Sequence, residues 1–419
     1  MSQAIAVIGA GYGDEGKGLA TDYFVRKFKA PFVARGNGGA QAGHTVVDGK
    51  NRHVFGHVSS GTFAGADTYL GSNFILNPLI LSDEIEELET MGFKPRVHAH
   101  GDCRVSTIYD MAINSLVELS RGVDRHGSCG MGINETVTRH QAGYFLDFNT
   151  LFNYQETIDV LTRVHQEWVP ERLKMLGITD NTFLKMPDNT QRYAHAFFDV
   201  FKMAPRDIAS DLCLKAMQSL TLDDPKKKMK FEDTVVIEGA QGLMLDEYLG
   251  EFPHVTRSVT GLASSIRAAA ELGKTSIIPV YMTRAYATRH GAGPLVYQGA
   301  RITDKNLRDE TNVDNEWQGS IRYAPLDLRS LKAYITEDFE RGKLVAQAFG
   351  VEVDPPQMII TCLDQLGSYV NVVKANGSII RVKPEDLPSV LVNELMCVEI
   401  IGVSYGPEAK DVRELADVV

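Results

Sequence analysis

Apolar residues in this chain fall into short unbroken runs and longer helical stripes, with glycine-rich turns between them. The first run, Ile5-Ala-Val-Ile8, reads as a buried strand, and residues 19–28 follow with the spacing of an amphipathic helix. Residues 32–35, 53–60 and 68–76 read as strands, and residues 78–91 and 104–121 as helices. From 149 to 224 the apolar spacing is near i, i+3, i+4, most clearly around 158–168 and 197–203, which predicts a largely helical stretch. Runs at 234–238, 276–281 and 358–364 return to the strand pattern. Strands alternating with helices predict an α/β fold on a mostly parallel central sheet. We expect one domain over 1–419 with a helical insertion at about 149–230, ending in the solvated stretch Asp223-Asp-Pro-Lys-Lys-Lys228.

Composition narrows the class without naming it. At 419 residues, 44% hydrophobic and 23% charged, the chain is ordinary for a globular protein and long enough for one large α/β domain. A net charge of −11 argues against a nucleic-acid or acidic-membrane surface. An anionic substrate must then be met by local arginines and loop amides. The five cysteines are scattered and lack C-x-x-C spacing, so a reduced, cytoplasmic setting is expected rather than a disulfide framework or zinc site. No apolar run approaches the length of a membrane span, and the first one lacks the flanks of a signal peptide.

The chemistry concentrates in glycine loops. Gly11-Tyr-Gly13-Asp-Glu-Gly16-Lys17 follows the first strand and opens the first helix, an arrangement that cradles phosphate. Two motifs fit it. The dinucleotide fingerprint G-x-G-x-x-G requires an acidic residue about 20 positions on, where this chain has only Arg35, suited to a 2′-phosphate. The mononucleotide loop G-x-x-x-x-G-K places Lys17 on a phosphate, but Gly18 stands where the magnesium-binding hydroxyl belongs. Asp14 is then the candidate metal ligand. A plain βα turn is the third reading, and it has no use for a carboxylate and a lysine together.

A second loop, residues 36–45, carries His44 as a candidate acid, base or phosphate ligand. A third, residues 127–136, is dense in glycine and hydroxyls, which suits a monophosphate as well as it suits a surface turn. Glu238-Gly-Ala-Gln241-Gly242 ends a strand where open α/β sheets bind ligands, and Gln241 is placed to read a purine edge. Arg289 beside Gly291-Ala-Gly293 is a plausible anion contact.

Four of these stretches together resemble the adenylosuccinate synthetase family. They are Gly13-Asp-Glu-Gly-Lys-Gly18, Ala42-Gly-His-Thr-Val46, Glu238-Gly-Ala-Gln-Gly242 and Thr288-Arg-His-Gly-Ala-Gly-Pro294, in the family's order. The resemblance implies a homodimeric ligase that joins L-aspartate to C6 of a purine 5′-monophosphate, using an NTP and Mg²⁺. It implies Asp14 as base, His44 as acid at the 6-oxygen and Lys17 on the transferring phosphoryl group. Asp14 and the Gly43 carbonyl would hold Mg²⁺. Gly13, Glu15, Gly16, Gly18, Thr45, Asp364 and Gly406 would contact the NTP. Asn37, Ser128, Cys129, Gly130, Gln241, Thr256 and Arg289 would contact the monophosphate substrate, with Arg139 supplying the arginine that the family reaches across its dimer interface.

The departures bear on the substrates. The family's arginine-rich aspartate loop is replaced by Thr311-Asn-Val-Asp-Asn-Glu-Trp-Gln-Gly-Ser-Ile-Arg322, leaving Arg322 with help from Asn315 and Gln318. The family's Thr-Lys-x-Asp guanine signature has become Thr361-Cys-Leu-Asp364, which weakens guanine selectivity and makes ATP a realistic donor beside GTP. These changes resemble the viral branch that makes 2-aminoadenylosuccinate from dGMP. Retained Asp14 fits IMP, the ordinary family substrate. The reading leans to dGMP, with IMP as the alternative and a non-catalytic purine-nucleotide sensor as the rival of another class.

Overall fold

A computed structural model describes residues 2–309 and 319–415. Its centre is a sheet in which nine strands run in one sequence of neighbours: Val412–Glu414, Glu399–Ser404, Gln357–Thr361, Ser276–Arg284, Gln3–Gly9, Val235–Gly242, Phe32–Arg35, Asp67–Leu70 and Val97–Ala99. A tenth strand, Glu352–Val353, pairs beside Ser276–Arg284. Every pairing is parallel except that of Val412–Glu414 with Glu399–Ser404. The expected α/β fold on a mostly parallel sheet is therefore the observed one.

The central strands Gln3–Gly9 and Val235–Gly242 are covered on both faces, so their residues read as continuous apolar runs and are nearly all buried. On one side the Leu262–Glu271 helix packs against them through Ile266, and the Leu328–Phe349 helix packs on that helix, adding Leu331 and Ile335 to the same core. On the other, the Lys17–Phe28 helix contributes Ala20, Phe24 and Val25. Because the strands are parallel, their carboxyl ends lie along one edge of the sheet. The loops after Gly9, Arg35, Gly242, Arg284, Thr361 and Ser404 all open there, the edge at which such sheets bind ligands.

Several boundaries differ from the expected ones for local reasons. Residues 68–76 form two strands, Asp67–Leu70 and Phe74–Leu76, parted by a turn in which Phe74 N bonds Gly71 O. The helix expected from 104 begins at Ile108, because Thr107 and Asp110 form a reciprocal capping box and Arg104–Val105 pairs as a strand. Residues 53–60 are a strand only to Phe55. Between 149 and 219 the helices Tyr154–Arg163, Val169–Met175, Asp188–Val200 and Pro205–Ser219 succeed one another. Among the described residues no helix is long and apolar enough to cross a membrane.

Candidate functional site

The first glycine loop leaves Gly9 and enters its helix at Gly16, which has φ 88°. Asp14 is a non-glycine residue in the left-handed region, φ 61°. That strained geometry is held by Arg284, whose Nε donates to the Asp14 carbonyl while Nη2 bonds Asp309 at 2.8 Å. Arg284 is nearly buried, and neighbouring acceptor groups raise its pKa against the opposing effect of burial. Thr361 Oγ1 donates to Glu15 O at 3.0 Å, so the ends of two further strands also grip this loop.

Within the loop Glu15 accepts from Gly11 N (3.0 Å) and Gly13 N (2.7 Å), and Lys17 Nζ lies 2.7 Å from its other oxygen. Both side chains are buried. Burial works to raise the Glu15 pKa, but Lys17 and the amides outweigh it and hold the carboxyl below its usual range. Gly18 has a packing reason. A Cβ there would lie 2.9 Å from Thr45 O and 3.2 Å from Ser60 Oγ, so the helix start presses directly on the His44–Asp48 strand.

That contact brings His44 to the loop. His44 Nδ1 lies 2.6 Å from Glu238 Oε1, and Nε2 lies 3.0 Å from the Ala240 carbonyl. Glu238 also accepts Ser60 N at 3.1 Å and the Ser60 hydroxyl, and Arg35 Nε stands 3.9 Å away. Burial opposes its ionisation, yet Arg35 and His44 lower the Glu238 pKa to about 2. Burial lowers the His44 pKa, with Glu238 opposing it. Both ring nitrogens face acceptors, so the ring donates on both sides only as imidazolium.

Arg35 is fully buried and donates to Gly56 O at 2.8 Å. It cannot meet a 2′-phosphate, so the dinucleotide reading falls. Asn37 is also committed: its Nδ2 donates to Val259 O (2.7 Å) and its Oδ1 accepts Ala240 N (3.0 Å). It pins the end of the Val235–Gly242 strand. By contrast, the Gln241 Oε1, Thr45 Oγ1 and both amide atoms of Gln41 are buried with no hydrogen-bond partner. Orphaned buried polar atoms beside His44 and Gly38 are what a polar ligand would satisfy. Sequence reasoning passed over Gln41. Its only signal there was an amide inside a glycine loop.

The expected arginines are engaged by acceptors of the chain itself. Arg139 is fully buried, with Nε 2.9 Å from Asp110 Oδ1, Nη1 on Tyr144 O (2.7 Å) and Nη2 on Val105 O (2.7 Å). It locks the Ile133–Gln141 helix to the Ile108–Arg121 helix and does not point outward. Arg289 donates to Pro294 O (2.7 Å) and His254 O (3.1 Å), and its guanidinium lies 4.3 Å from the Tyr12 ring centre. Arg322 bonds Gln298 Oε1 (3.0 Å) and Gly291 O (2.6 Å). Both shape the Gly291–Gly293 turn. Asn315 and Gln318 lie outside the described residues.

Ser128 donates from Oγ to Asn114 Oδ1 at 3.0 Å, Cys129 has its thiol pKa raised by burial, and Gly130 adopts φ 76°. Thr256 N bonds Leu245 O at 2.8 Å. Gly43 is exposed at the loop tip.

At the sheet's other flank, Cys362 has φ 63° and its thiol pKa is raised by burial, with the Arg284 charge opposing that rise. Burial raises the Asp364 pKa. Lys305 Nζ bonds Asp364 O at 2.9 Å, so a lysine reaches this turn from another segment. At Gly406 a Cβ would come 2.4 Å from Asp411 Oδ2, and Gly406 O accepts from Ser404 Oγ at 2.7 Å.

Comparison with known proteins agrees with this arrangement. The adenylosuccinate synthetase family profile matches residues 6–316. The adenylosuccinate synthetase of Clostridium novyi is 30% identical over 339 residues, 79% of this chain and 74% of that protein. That of Bordetella avium is 30% identical over 303 residues, which span 70% of this chain and 64% of the relative's length. Among solved structures, the fully ligated adenylosuccinate synthetase of Plasmodium falciparum superposes with a TM-score of 0.66 at 17% identity, covering 97% of this chain and 98% of that one. The succinoaminodeoxyadenylate synthetase of cyanophage S-2L, bound to dGMP and dATP, gives 0.58 at 14% identity, covering 99% and 95%. With its glycine loops, its buried His44–Glu238 pair and three quarters of its length matched, the chain belongs to the adenylosuccinate synthetase family, whose members are ligases that form a C–N bond.

Proposed function

We propose that the protein joins L-aspartate to C6 of a purine 5′-monophosphate, driven by NTP hydrolysis, in a homodimer. The observation that carries this is the meeting of two loops at one sheet edge: the Asp14–Lys17 phosphate loop and the His44 ring held by Glu238. A 6-oxo group leaves poorly as oxide, so the reading requires that it first become a phosphate ester. Asp14 takes the N1 proton, which makes the 6-oxygen nucleophilic. That oxygen attacks the γ-phosphorus, the bond to the NDP breaks, and the 6-phosphoryl purine forms. The aspartate amine then attacks C6 and inorganic phosphate leaves. Lys17 would turn from Glu15 to the transferring phosphoryl oxygens, and His44 Nε2 would turn from the Ala240 carbonyl to the 6-oxygen.

Magnesium would be held by the Asp14 carboxylate and the Gly43 carbonyl. Hard oxygen donors suit it, and it ordinarily takes few protein carboxylates, with phosphates and waters completing its shell. Bound there, it would neutralise charge on the phosphoryl group.

For the purine we favour dGMP, with an adenine nucleotide as donor. Cys362 in place of a lysine, beside the exposed Asp364, supports weakened guanine selection at the donor site. The cyanophage neighbour bound to dGMP and dATP shares the fold. IMP with GTP is the second reading, favoured by the retained Asp14. The test is a product assay with aspartate, Mg²⁺ and each purine–donor pair: succinylated product from dGMP and ATP supports the first reading, and product only from IMP and GTP supports the second.

A further inference from the structure

The third glycine loop, residues 126–132, rests on the Ile108–Arg121 helix. One oxygen of Glu118 accepts three successive backbone N–H groups: His126 (3.1 Å), Gly127 (3.1 Å) and Ser128 (3.3 Å). The other oxygen is bonded by Arg121. The carboxylate is buried, with the residue 1% exposed. One turn earlier on the same helix face, Asn114 Oδ1 accepts Ser128 Oγ (3.0 Å) and Gly132 N (3.1 Å).

Successive amides converging on one point form an anion-binding nest. Here the chain fills the nest with its own anion. A peptide whose N–H faces inward turns its C=O outward, so the first half of the loop shows carbonyls to the site. The His126 carbonyl accordingly accepts Ala292 N from the opposite glycine turn, at 3.4 Å. A phosphate cannot use that half without displacing Glu118. The chain turns at Gly130 (φ 76°) and Gly132 (φ 72°). Gly130 N donates to Ser128 Oγ (3.4 Å) and Gly132 N to Asn114 Oδ1, so the Cys129 and Met131 amides are the ones left for an anion.

We propose that Glu118 is a positioning residue for the purine monophosphate. By filling the first nest it fixes the loop so that the 5′-phosphate is taken by the amides of Cys129 and Met131. This rests on the reading that the loop faces the substrate phosphate.

The test compares wild type with Glu118→Gln in the full-length protein. It measures KM for the purine monophosphate and for the NTP, and the dissociation constant of the matching nucleoside, which lacks the phosphate. The expected result is a rise of about tenfold in the monophosphate KM, with the nucleoside and NTP values unchanged, because only phosphate contacts are disturbed. Glu118→Asp, which keeps the charge but withdraws it by one methylene, is expected to give a smaller rise of the same selectivity, and it serves if the glutamine variant does not fold. An unchanged monophosphate KM overturns the proposal, as does an equal loss for nucleoside and NTP. If wild type makes no succinylated product from any purine monophosphate, it is the functional reading that fails, not this assignment alone.

Discussion

His44 Nδ1 stands 2.6 Å from Glu238 Oε1, joining the first residue of the His44–Asp48 strand to the middle of a central strand 194 residues later in the chain. The carboxylate fixes the ring's orientation and offsets the effect of burial on its charge. Replacing Glu238 by Gln removes that opposition, so the His44 pKa falls further. The limb of the kcat–pH profile governed by His44 is then expected to move to lower pH, with kcat down roughly 100-fold or more. An unshifted limb in a variant of lowered kcat would remove Glu238 from this role.

Lys17 and Glu15 form a buried pair at 2.7 Å. Lys17→Met leaves a buried carboxylate unpaired and is expected to cost about 3–5 kcal/mol of stability, along with phosphoryl transfer. Adding Glu15→Gln removes the stranded charge. The double variant is expected to regain most of the lost stability by denaturant titration while remaining inactive. Recovery of activity in the double variant would deny Lys17 its part in the chemistry.

Arg284 holds the Asp14 backbone in the left-handed region. Arg284→Gln is expected to lower kcat roughly 10–100-fold with a smaller effect on KM for the NTP, since the base is displaced while the loop amides remain. Steady-state kinetics with both substrates varied separates the two effects. Asp14→Asn distinguishes an enzyme from a sensor: nucleotide binding is expected to persist while product formation stops.

Asp338 gives a stability test away from the chemistry. It lies buried on the Leu328–Phe349 helix, accepting Leu262 N with both oxygens (3.0 Å each) and the Tyr281 hydroxyl (2.9 Å). Burial raises its pKa to about 7. The unfolded carboxyl ionises near its ordinary value, so between there and about 7 the folded state binds more protons. Stability from this group is therefore greatest below that window and falls as pH rises through it, by up to about 1.4 kcal/mol per unit. Asp338→Asn is expected to flatten that slope in denaturant titrations at several pH values.

The sequence carried the fold through its buried strands: the run at 5–8 and the run at 234–238 become neighbours in the sheet. The long Leu328–Phe349 helix is absent from the expected elements, although Leu328, Leu331, Ile335 and Ala346 are buried at helical spacing. Asp14, Lys17, His44 and Gln241 lie in or beside the segments at the carboxyl edge of the sheet, where the glycine loops and strand ends of the sequence led them to be expected. The partners of the arginines were not legible in the sequence. Arg139 finds Asp110 across 29 residues, and Arg35 lies by Glu238 across the sheet, pairings that no local pattern records. Glu118 was invisible for the same reason: its function lies in three amides of another segment.

The most direct measurement is mass spectrometry of products from aspartate and Mg²⁺ with dGMP or IMP, each supplied with ATP or GTP. A succinylated purine monophosphate, with one equivalent each of NDP and phosphate, is expected from dGMP with ATP. Product only from IMP with GTP would contradict the choice of purine and donor. Nucleotide binding without product in any combination would contradict the central claim that this site performs the ligation.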